Sequence, residues 1–316
     1  MSITPAEQTI SSTLVVGATG QVGLQMVKAL ESRGRGVIPT ARAPKDDGWL
    51  QLDLGELEAG PQAAALLDEH SLDAVLCVAG MTHVDGCESE PDRAYRVNAR
   101  GPAVLAAYAR RRALPFVYFS TDYVFDGLRE NPGPYGEDAS PNPLSVYGRS
   151  KLMGEREVLD AHPDALVVRT TVVYGPDDRR MNYTCSLMRN LANGTAMRVP
   201  QDQISTPTYN RDLAQTTLAL VAAGARGVFH VAGPELMDRL EFAQRVAETF
   251  ALDTSLLQGV STAELGQAAP RPLWSGLATN KLTGMFPRFR MRSLTESLQD
   301  CEAELRAFIN DERRPG

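Results

Sequence analysis

The sequence predicts an α/β fold with a doubly wound parallel sheet and, beside it, a smaller and mostly helical domain. Three observations predict this fold. Short apolar runs alternate with stretches of helical periodicity, which is the pattern of successive βαβ units. The apolar runs are continuous instead of alternating with polar residues, as expected for parallel strands covered on both faces. The chain has 316 residues, enough for one large α/β domain and a smaller companion.

Strands and helices are predicted in alternation along the larger domain. The predicted strands are 13–16, 36–40, 50–52, 73–79, 116–120, 165–171 and 227–231. The predicted helices are 21–33, 56–69, 91–112, 144–161, 182–193 and 211–223. The first strand is a β-branched run, and the helix from Pro91 begins with a proline and is rich in alanine. A loop rich in Pro and Gly spans 126–143.

The alternation loosens after Tyr174, and this change predicts the domain boundaries. We assign 1–174 to the larger domain, with 204–232 returning to it. The smaller domain then takes 175–203 and 233–316, where helices with loops are predicted. Because the carboxyl ends of parallel strands meet at one edge of a sheet, we expect ligands beside Gly17, Ala79 and Ser120.

Charge and composition disfavour several classes of partner. The formal net charge is −7 and the basic residues form no long run, which disfavours nucleic acid and anionic membranes. No apolar stretch reaches the roughly 18 residues of a membrane span, and the polar first dozen residues have no signal core. The four cysteines form no CxxC pair and the four histidines share no ligand spacing. We therefore expect a cytoplasmic protein with neither a disulfide framework nor a metal site.

A glycine-rich turn follows the first predicted strand and opens the first predicted helix. Its sequence is Gly17-Ala-Thr-Gly20-Gln-Val-Gly23, in the strand–turn–helix context of a phosphate cradle. Gly17 permits the sharp turn, Gly20 lets a pyrophosphate approach the backbone, and Gly23 lets the helix pack on the strand. The helix N-terminus offers free N–H groups and the positive end of its dipole. The larger domain is therefore predicted to bind a dinucleotide in the Rossmann manner.

The residues after the second predicted strand bear on which dinucleotide binds. An NAD site carries an acidic residue about 20 residues beyond the glycines, where it binds the ribose 2′-hydroxyl. Here that place holds Thr40-Ala41-Arg42, and a hydroxyl and a guanidinium suit a 2′-phosphate. We therefore predict NADPH. NADH stays open as the alternative, with Arg42 as a solvated loop arginine. Asp53, just past the third strand, is placed to accept a hydrogen bond from the adenine amine.

Tyr147 and Lys151 are four residues apart on a predicted helix and therefore share one face. An ammonium beside a phenol favours the phenolate and lowers the pKa of the phenol, which brings it toward working pH. A carbonyl reductase needs such a proton donor for the alkoxide that hydride transfer creates, and Lys151 can also bind the nicotinamide ribose. Thr121 ends the preceding strand and can donate to the same carbonyl oxygen, although such residues also simply terminate strands.

Together these motifs resemble the extended short-chain dehydrogenase/reductases and, within them, the dTDP-4-dehydrorhamnose reductases. The resemblance runs from Thr13 to about Leu282. Besides the glycine motif it includes 81–85, Glu88, Pro91, 97–98, 120–127, 143–155, 168–170, 207–208 and 271–272. It implies NADPH-dependent reduction of the 4-keto group of a nucleotide-activated deoxysugar that the smaller domain helps to bind.

The resemblance also implies a set of site residues. Thr121, Tyr147 and Lys151 are the implied catalytic set. The cofactor site comprises Gly17, Thr19, Gly20, Gln21, Val22, Gly23, Thr40, Arg42, Asp53, Leu54, Ala79, Gly80 and Asn98, together with Tyr147 and Lys151. The substrate site comprises Thr82, Val84, Asp85, Asp122, Tyr123, Asn182 and Arg271, with Arg271 near the nucleotide part.

Two features leave alternatives open. Many of these reductases carry a tryptophan after the Arg-Thr pair of the sixth strand, whereas 171–174 of this chain hold none, so the sugar stays open. The tail, through 227–230 and 271–272, is also similar to the regulatory β subunit of methionine adenosyltransferase, which keeps the reductase fold and serves mainly as a partner subunit. A cofactor-binding regulatory subunit and a nucleotide-sugar epimerase or dehydratase are the alternatives, and a homodimer is left open.

Overall fold

The computed structural model describes residues 12–44, 48–57, 67–128, 130, 132–287 and 290–312, without the side chains of 311 and 312. Its strands are β1 (Ser12–Val16), β2 (Gly36–Ala41), β3 (Leu50–Gln51), β4 (Leu72–Cys77), β5 (Phe116–Thr121), β6 (Leu166–Thr170), β7 (Val173–Tyr174), β8 (Met197–Pro200), β9 (Ile204–Ser205), β10 (Thr208–Tyr209), β11 (Gly227–His230), β12 (Met237–Asp238) and β13 (Leu257–Val260). Its α-helices are α1 (Gln21–Glu31), α2 (Val84–Ser89), α3 (Pro91–Tyr95), α4 (Gly101–Arg111), α5 (Val146–Ala161), α6 (Tyr183–Ala192), α7 (Asn210–Ala222), α8 (Arg239–Thr249), α9 (Thr262–Leu265), α10 (Asn280–Met285), α11 (Leu294–Asp300) and α12 (Glu302–Glu312).

Seven of these strands form the central sheet, in the order β11-β6-β5-β4-β1-β2-β3. Every neighbouring pair in it is parallel. The strand order reverses between β1 and β4, and such a switch point is where ligands bind in open α/β sheets. The predicted doubly wound parallel sheet is therefore confirmed, and the segments that follow β1, β4, β5 and β6 meet at one edge.

The strands are apolar because helices cover both faces of the sheet. Val15 and Leu76 pack with α1 in a core on one face, whereas Leu14 and Val75 pack with α4 in a core on the other. Successive residues of a strand point to opposite faces, so a strand with two covered faces needs an unbroken apolar run.

The helix predicted over 91–112 has three segments, α3, a π-helical turn at Arg96–Arg100 and α4. Pro102 has no N–H to donate to the carbonyl of Asn98, as a regular α-helix would require. The hydroxyl of Tyr118 donates to that carbonyl instead, at 2.5 Å. Helical periodicity does not reveal this widened turn, which presents Asn98 to the neighbouring elements.

A separate core is formed by residues from Tyr174 onward, with Leu187, Phe242 and Leu298 among its most buried members. This core supports the smaller domain that we propose for 175–203 and 233–316, although Leu282 packs in the core against the sheet. Three two-stranded pairs, β7 with β10, β8 with β13 and β9 with β12, were not predicted. Strands of two to four residues are too short to carry a periodic signal.

The helix predicted over 56–69 lies mostly outside the described residues, and 67–68 are helical. In the part of the chain that the structure describes, no helix is long and apolar enough to cross a membrane. The same residues contain no group of three or more His, Cys, Asp or Glu that could hold a metal ion.

Candidate functional site

A cavity of about 740 Å³ lies along the carboxyl edge of the sheet. Its walls come from the turn after β1, the segments after β2, β4, β5 and β6, the start of α5 and the starts of α6 and α8. The predicted residues that line it are Gly17, Thr19, Gly20, Gln21, Val22, Arg42, Asp53, Leu54, Ala79, Gly80, Thr82, Val84, Thr121, Asp122, Tyr123, Tyr147 and Lys151. The predicted residues that do not line it are Gly23, Thr40, Asp85, Asn98, Asn182 and Arg271.

The glycine turn has the geometry that the sequence predicts. Gly17 has φ +89°, and a Cβ there would lie 2.8 Å from Ala79. A Cβ on Gly23 would lie 2.2 Å from the carbonyl oxygen of Gly17, so Gly23 supports the cradle from behind by letting α1 pack on the turn. A Cβ on Gly20 would contact only that carbonyl oxygen, at 3.3 Å, and Gly20 lines the cavity.

The N-terminal end of α1 is open toward the cavity. Gly20 is its N-cap and provides no side-chain hydrogen bond, and the first turn of α1 holds no acidic residue. The first N–H groups of a helix have no partner within the helix, and together with the dipole they bind phosphate. These residues therefore fit the pyrophosphate of a dinucleotide.

The segment after β2 offers a guanidinium but no hydroxyl. Arg42 is exposed and lines the cavity, and Asp53 beside it accepts a hydrogen bond from the N–H of Gly55 at 2.8 Å. Thr40 departs from the prediction, because its side chain is 1% exposed and lies outside the cavity wall. Its carbonyl accepts hydrogen bonds from the N–H groups of Gly17 and Ala18, so Thr40 holds the turn instead of facing a ligand.

Thr121 and Tyr147 meet where β5 ends and α5 begins. Ser145 caps α5 by accepting from the N–H of Gly148 at 3.2 Å. A Cβ on Gly148 would lie 2.2 Å from the carbonyl oxygen of Tyr123, so this glycine lets α5 begin directly against the segment after β5. The side chains of Thr121 and Tyr147 are hydrogen-bonded to each other.

The phenol of Tyr147 is buried, with 9% of the residue exposed. Burial raises the pKa of Tyr147 well above its ordinary value, and the hydrogen bond with Thr121 opposes this rise. The predicted lowering of this pKa by Lys151 is therefore wrong for this structure. The reason is that desolvation of the phenolate outweighs any stabilising charge nearby. Tyr147 stays protonated at neutral pH, in the form that can donate a proton.

Lys151 places a buried ammonium on the cavity wall. Its Nζ lies 4.1 Å from the centre of the Tyr118 ring. Burial lowers the pKa of Lys151 to about 8. A Cβ on Gly80 would lie 3.8 Å from this Nζ, so the glycine keeps the space beside the ammonium open. An ammonium in this position fits the hydroxyl groups of a ribose.

Asn98 holds α5 in place from behind the cavity wall. Its side-chain amide donates to the carbonyl of Met81 at 3.1 Å and to the hydroxyl of Ser150 at 2.9 Å. The Ser150 hydroxyl donates in turn to the carbonyl of Tyr147 at 2.8 Å. Asn98 therefore differs from the prediction that it binds the cofactor, because it acts through Tyr147 and the segment after β4.

A buried ion pair lies next to the end of β5 and within α5. Arg169 on β6 donates to both carboxylate oxygens of Glu155 on α5, at 2.8 and 2.6 Å, and both side chains are 4% exposed. Ser120, next to Thr121, also donates to Glu155, at 2.5 Å. Both residues lie within the matched motifs, but their pairing could not be predicted, because charged residues in a motif do not indicate their partners.

Comparison with known proteins decides the family of the chain. Residues 11–307 match the family described as the RmlD substrate binding domain. The chain belongs to this family. A dTDP-4-dehydrorhamnose reductase of Mycobacterium tuberculosis is 37% identical over 290 residues, covering 89% of this chain and 90% of that protein. A probable low-salt glycan biosynthesis reductase of Haloferax volcanii is 36% identical over 303 residues, covering 94% of this chain and 98% of that protein.

Solved structures of similar proteins agree with the fold. A dTDP-4-dehydrorhamnose reductase from Bacillus anthracis in complex with NADP gives a TM-score of 0.83 at 29% identity, covering 93% of this chain and 99% of that chain. One from Clostridium acetobutylicum gives 0.82 at 32% identity, with the same coverage.

The expected substrate arginine of this family is engaged elsewhere. Arg271 donates to both carboxylate oxygens of Asp85, at 2.8 and 2.9 Å, and its side chain is 8% exposed. The hydrogen bonds from Arg271 hold the pKa of Asp85 below its usual range. The pair ties α2 to the segment after α9. Neither residue lines the cavity, so their contact with substrate stays a prediction.

Asn182 has a structural task at the start of α6. Its side-chain oxygen accepts from the N–H of Cys185 and so caps α6, while its amide donates to the side chain of Gln21 at 2.9 Å. This contact fastens the loop before α6 to the start of α1. Where many family members carry a tryptophan, Val172 lines the cavity with φ 41°. This backbone conformation is unusual for a β-branched residue, and such strain concentrates at functional sites.

Three arginines of the cavity wall were missed by the sequence analysis, Arg93, Arg179 and Arg239. Five basic and two acidic side chains line the cavity among the described residues, in a chain of net charge −7. The site is therefore positively charged within an acidic protein and suits ligands with several phosphates. Isolated arginines outside a motif give no sequence signal, because their proximity arises only from the fold.

Proposed function

We propose that the chain is an NADPH-dependent reductase of the 4-keto group of a nucleotide-activated deoxysugar, with dTDP-4-dehydrorhamnose as the best single substrate. The observation that carries this proposal is that Thr121, Tyr147 and Lys151 line the same cavity as the open N-terminus of α1. The activity named for a 37% identical relative supports it. The positive cavity wall supports a cofactor and a substrate that both carry phosphates.

The side chains of the site divide the chemistry between them. The reaction needs a hydride for the carbonyl carbon, which NADPH supplies when bound. The hydroxyl groups of Thr121 and Tyr147 bind the carbonyl oxygen. Tyr147 gives that oxygen its proton as negative charge develops on it, and water then restores the proton to the phenolate. The ammonium of Lys151 would hold the nicotinamide ribose.

The test is turnover by the purified chain. It is incubated with NADPH and a panel of nucleotide-linked 4-keto sugars, and loss of the nicotinamide absorbance is followed. Oxidation of NADPH with formation of the 4-hydroxy sugar is the expected result. Tight binding of NADPH without turnover of any sugar would reject the reductase and favour a regulatory subunit, which a stoichiometric partner enzyme in a pull-down would then identify. Oxidised cofactor that co-purifies with the chain would instead favour an epimerase or dehydratase.

Lys151 predicts how the activity depends on pH. Its ammonium is present below a pKa of about 8 and is lost above it. Loss of the ammonium removes the positive charge that binds the nicotinamide ribose, so kcat/KM is expected to fall by about tenfold per pH unit above that pKa. A profile of kcat/KM between neutral and alkaline pH measures this limb. Lys151→Met should have low activity and no such limb, and a wild-type profile that stays flat would contradict the role of Lys151.

Arg42 predicts the choice between the two nicotinamide cofactors. Arg42→Ala is expected to raise the Kd for NADPH by about 10- to 100-fold and to leave the Kd for NADH unchanged, because the lost hydrogen bonds go to a charged 2′-phosphate. Fluorescence titration with both cofactors measures the ratio. Arg35→Ala is the matched control, since Arg35 is an exposed arginine that pairs with Asp73 outside the cavity. Equal losses for NADPH and NADH in Arg42→Ala would show that Arg42 does not read the 2′-phosphate.

The cysteines bear on the compartment in which the chain works. The cysteines at 77, 87, 185 and 301 are free and buried, which a reducing compartment permits. We propose that the chain works in the cytoplasm on a small nucleotide-sugar substrate. Light scattering on the purified chain tests whether it forms a homodimer.

A further inference from the structure

Arg239 is an arginine of the cavity wall whose guanidinium lies over an aromatic ring. It is the first residue of α8, it is half-buried, and its guanidinium lies 5.3 Å from the centre of the Tyr183 ring. Within the described residues it forms no ion pair with a carboxylate. A guanidinium on an aromatic ring keeps its charge and its N–H donors available for a ligand.

The other cavity arginines belong to the cofactor half of the site or are already paired. Arg42 follows β2 beside Asp53, and Arg93 binds Glu90 at 3.2 Å. Arg179 lies in the loop that Asn182 fastens to Gln21 at the start of α1.

Arg239 lies at the catalytic end of the cavity. Burial raises the pKa of Asp122, hydrogen bonds from hydroxyl groups oppose the rise, and the charge of Arg239 opposes it as well. Burial likewise raises the pKa of Tyr123, against the charge of Arg239. Asp122 and Tyr123 directly follow Thr121 and line the cavity together with Arg239, so the guanidinium of Arg239 faces the same cavity as Thr121.

The surroundings of Arg239 also favour an anion. Tyr183 is the first residue of α6, so two helices of 10 and 11 residues begin at this part of the wall. The N-terminal end of a helix carries partial positive charge. The first turn of α6 holds no acidic residue, whereas that of α8 holds Glu241 after its N-cap Asp238. The N–H of Arg239 donates to the carbonyl of Gln203 at 3.1 Å, which fixes the start of α8.

We infer that Arg239, seated on the ring of Tyr183, binds the diphosphate of the nucleotide sugar, an inference that rests on the function proposed above. The diphosphate carries the charge of such a substrate and lies next to the sugar, whose keto carbon has to lie beside Thr121 and Tyr147. Arg271, the arginine that the family resemblance implies for the nucleotide part, is held by Asp85 through two hydrogen bonds outside the cavity wall. Arg239 therefore takes the task that the sequence assigns to Arg271.

The test compares nucleotide binding by Arg239→Gln, Arg239→Lys and wild type. Calorimetric titrations use thymidine, dTMP, dTDP, UDP and GDP, with NADPH as a separate ligand. We expect Arg239→Gln to weaken binding of the preferred nucleoside diphosphate by about 10- to 100-fold, the effect of losing charge-assisted hydrogen bonds. Arg239→Lys should recover part of the loss, because it keeps the charge without the two-pronged geometry. Binding of NADPH and thymidine should stay as in wild type, and with substrate KM should rise far more than kcat falls.

The controls separate this inference from the function on which it rests. Arg226→Gln removes an arginine whose side chain is 66% exposed and pairs with Asp164 outside the cavity, and it should bind every ligand like wild type. Unchanged diphosphate binding in Arg239→Gln overturns the inference alone, as does a loss in Arg271→Gln with none in Arg239→Gln. An equal loss for NADPH assigns Arg239 to the cofactor and also overturns it. A wild-type chain that binds NADPH but no nucleoside diphosphate overturns the inference and the proposed function together.

Discussion

Tyr147→Phe is expected to lower kcat by about 10²- to 10⁴-fold, the range that a positioned proton donor contributes. The substitution removes the hydroxyl and keeps the ring, whose centre lies 5.4 Å from that of Tyr123 in an edge-to-face contact. Since the raised pKa of Tyr147 keeps the phenol protonated at neutral pH, the wild-type chain has the acid in its active form without further adjustment. The rate of NADPH oxidation at saturating substrate measures the effect.

Tyr108→Phe is the control for this substitution. The hydroxyl of Tyr108 donates to Asp68 at 3.2 Å, and neither residue lines the cavity, so kcat should stay unchanged. Binding of NADPH to Tyr147→Phe should also match wild type, which excludes a folding defect. A wild-type kcat in Tyr147→Phe would mean that another group, such as Thr121 with a water molecule, supplies the proton.

Arg169→Met is expected to lower the free energy of unfolding by about 3–5 kcal/mol, because it leaves the carboxylate of Glu155 buried without its partner. Glu155 is 3% exposed, and its remaining described hydrogen bond comes from Ser120. Folding must then either bury the uncompensated charge or protonate the carboxyl group, and both cost free energy. Urea unfolding followed by circular dichroism at neutral pH measures the loss.

The double variant Glu155→Gln/Arg169→Met tests this reason. It removes both charges, so it should lose less stability than Arg169→Met alone. Arg110→Met is the surface control: its side chain is 53% exposed and pairs with Asp164 at 2.8 Å. Such exposed pairs contribute about 1 kcal/mol or less. If Arg169→Met unfolds at the same urea concentration as Arg110→Met, the buried pair does not stabilise the site.

Features that depend on local spacing could be predicted from the sequence. The glycine turn places Gly17 at a positive φ and Gly23 against the carbonyl of Gly17. Both positions require glycine for reasons that lie within one strand–turn–helix unit. Tyr147 and Lys151 share a helix face for the same local reason, and both line the cavity. Features that depend on remote partners could not be predicted. Thr40 has the right residue type for a phosphate contact, yet its neighbours bury it.

The pKa of Tyr147 could not be predicted from the spacing of residues along the helix. Four residues of helix bring an ammonium near a phenol, but the pKa of the phenol also depends on how much water surrounds it. That surrounding is set by the segment after β5 and by α2, which pack on Tyr147 together with the start of α5. The sequence predicts that the two side chains share a helix face, whereas the packing of distant segments determines how far they are buried.

By itself, the sequence determined the parallel α/β sheet and the glycine turn, and it predicted the roles of Thr121, Tyr147, Lys151 and Arg42. Each of these depends on the period of a strand or helix or on a turn of a few residues. The tertiary structure decided which charged side chains are paired and which are available. Asp85 and Arg271 are 186 residues apart in the chain, and their contact removes Arg271 from the cavity. Arg239 lies on the cavity wall with its guanidinium over the ring of Tyr183, and no local pattern predicts this contact.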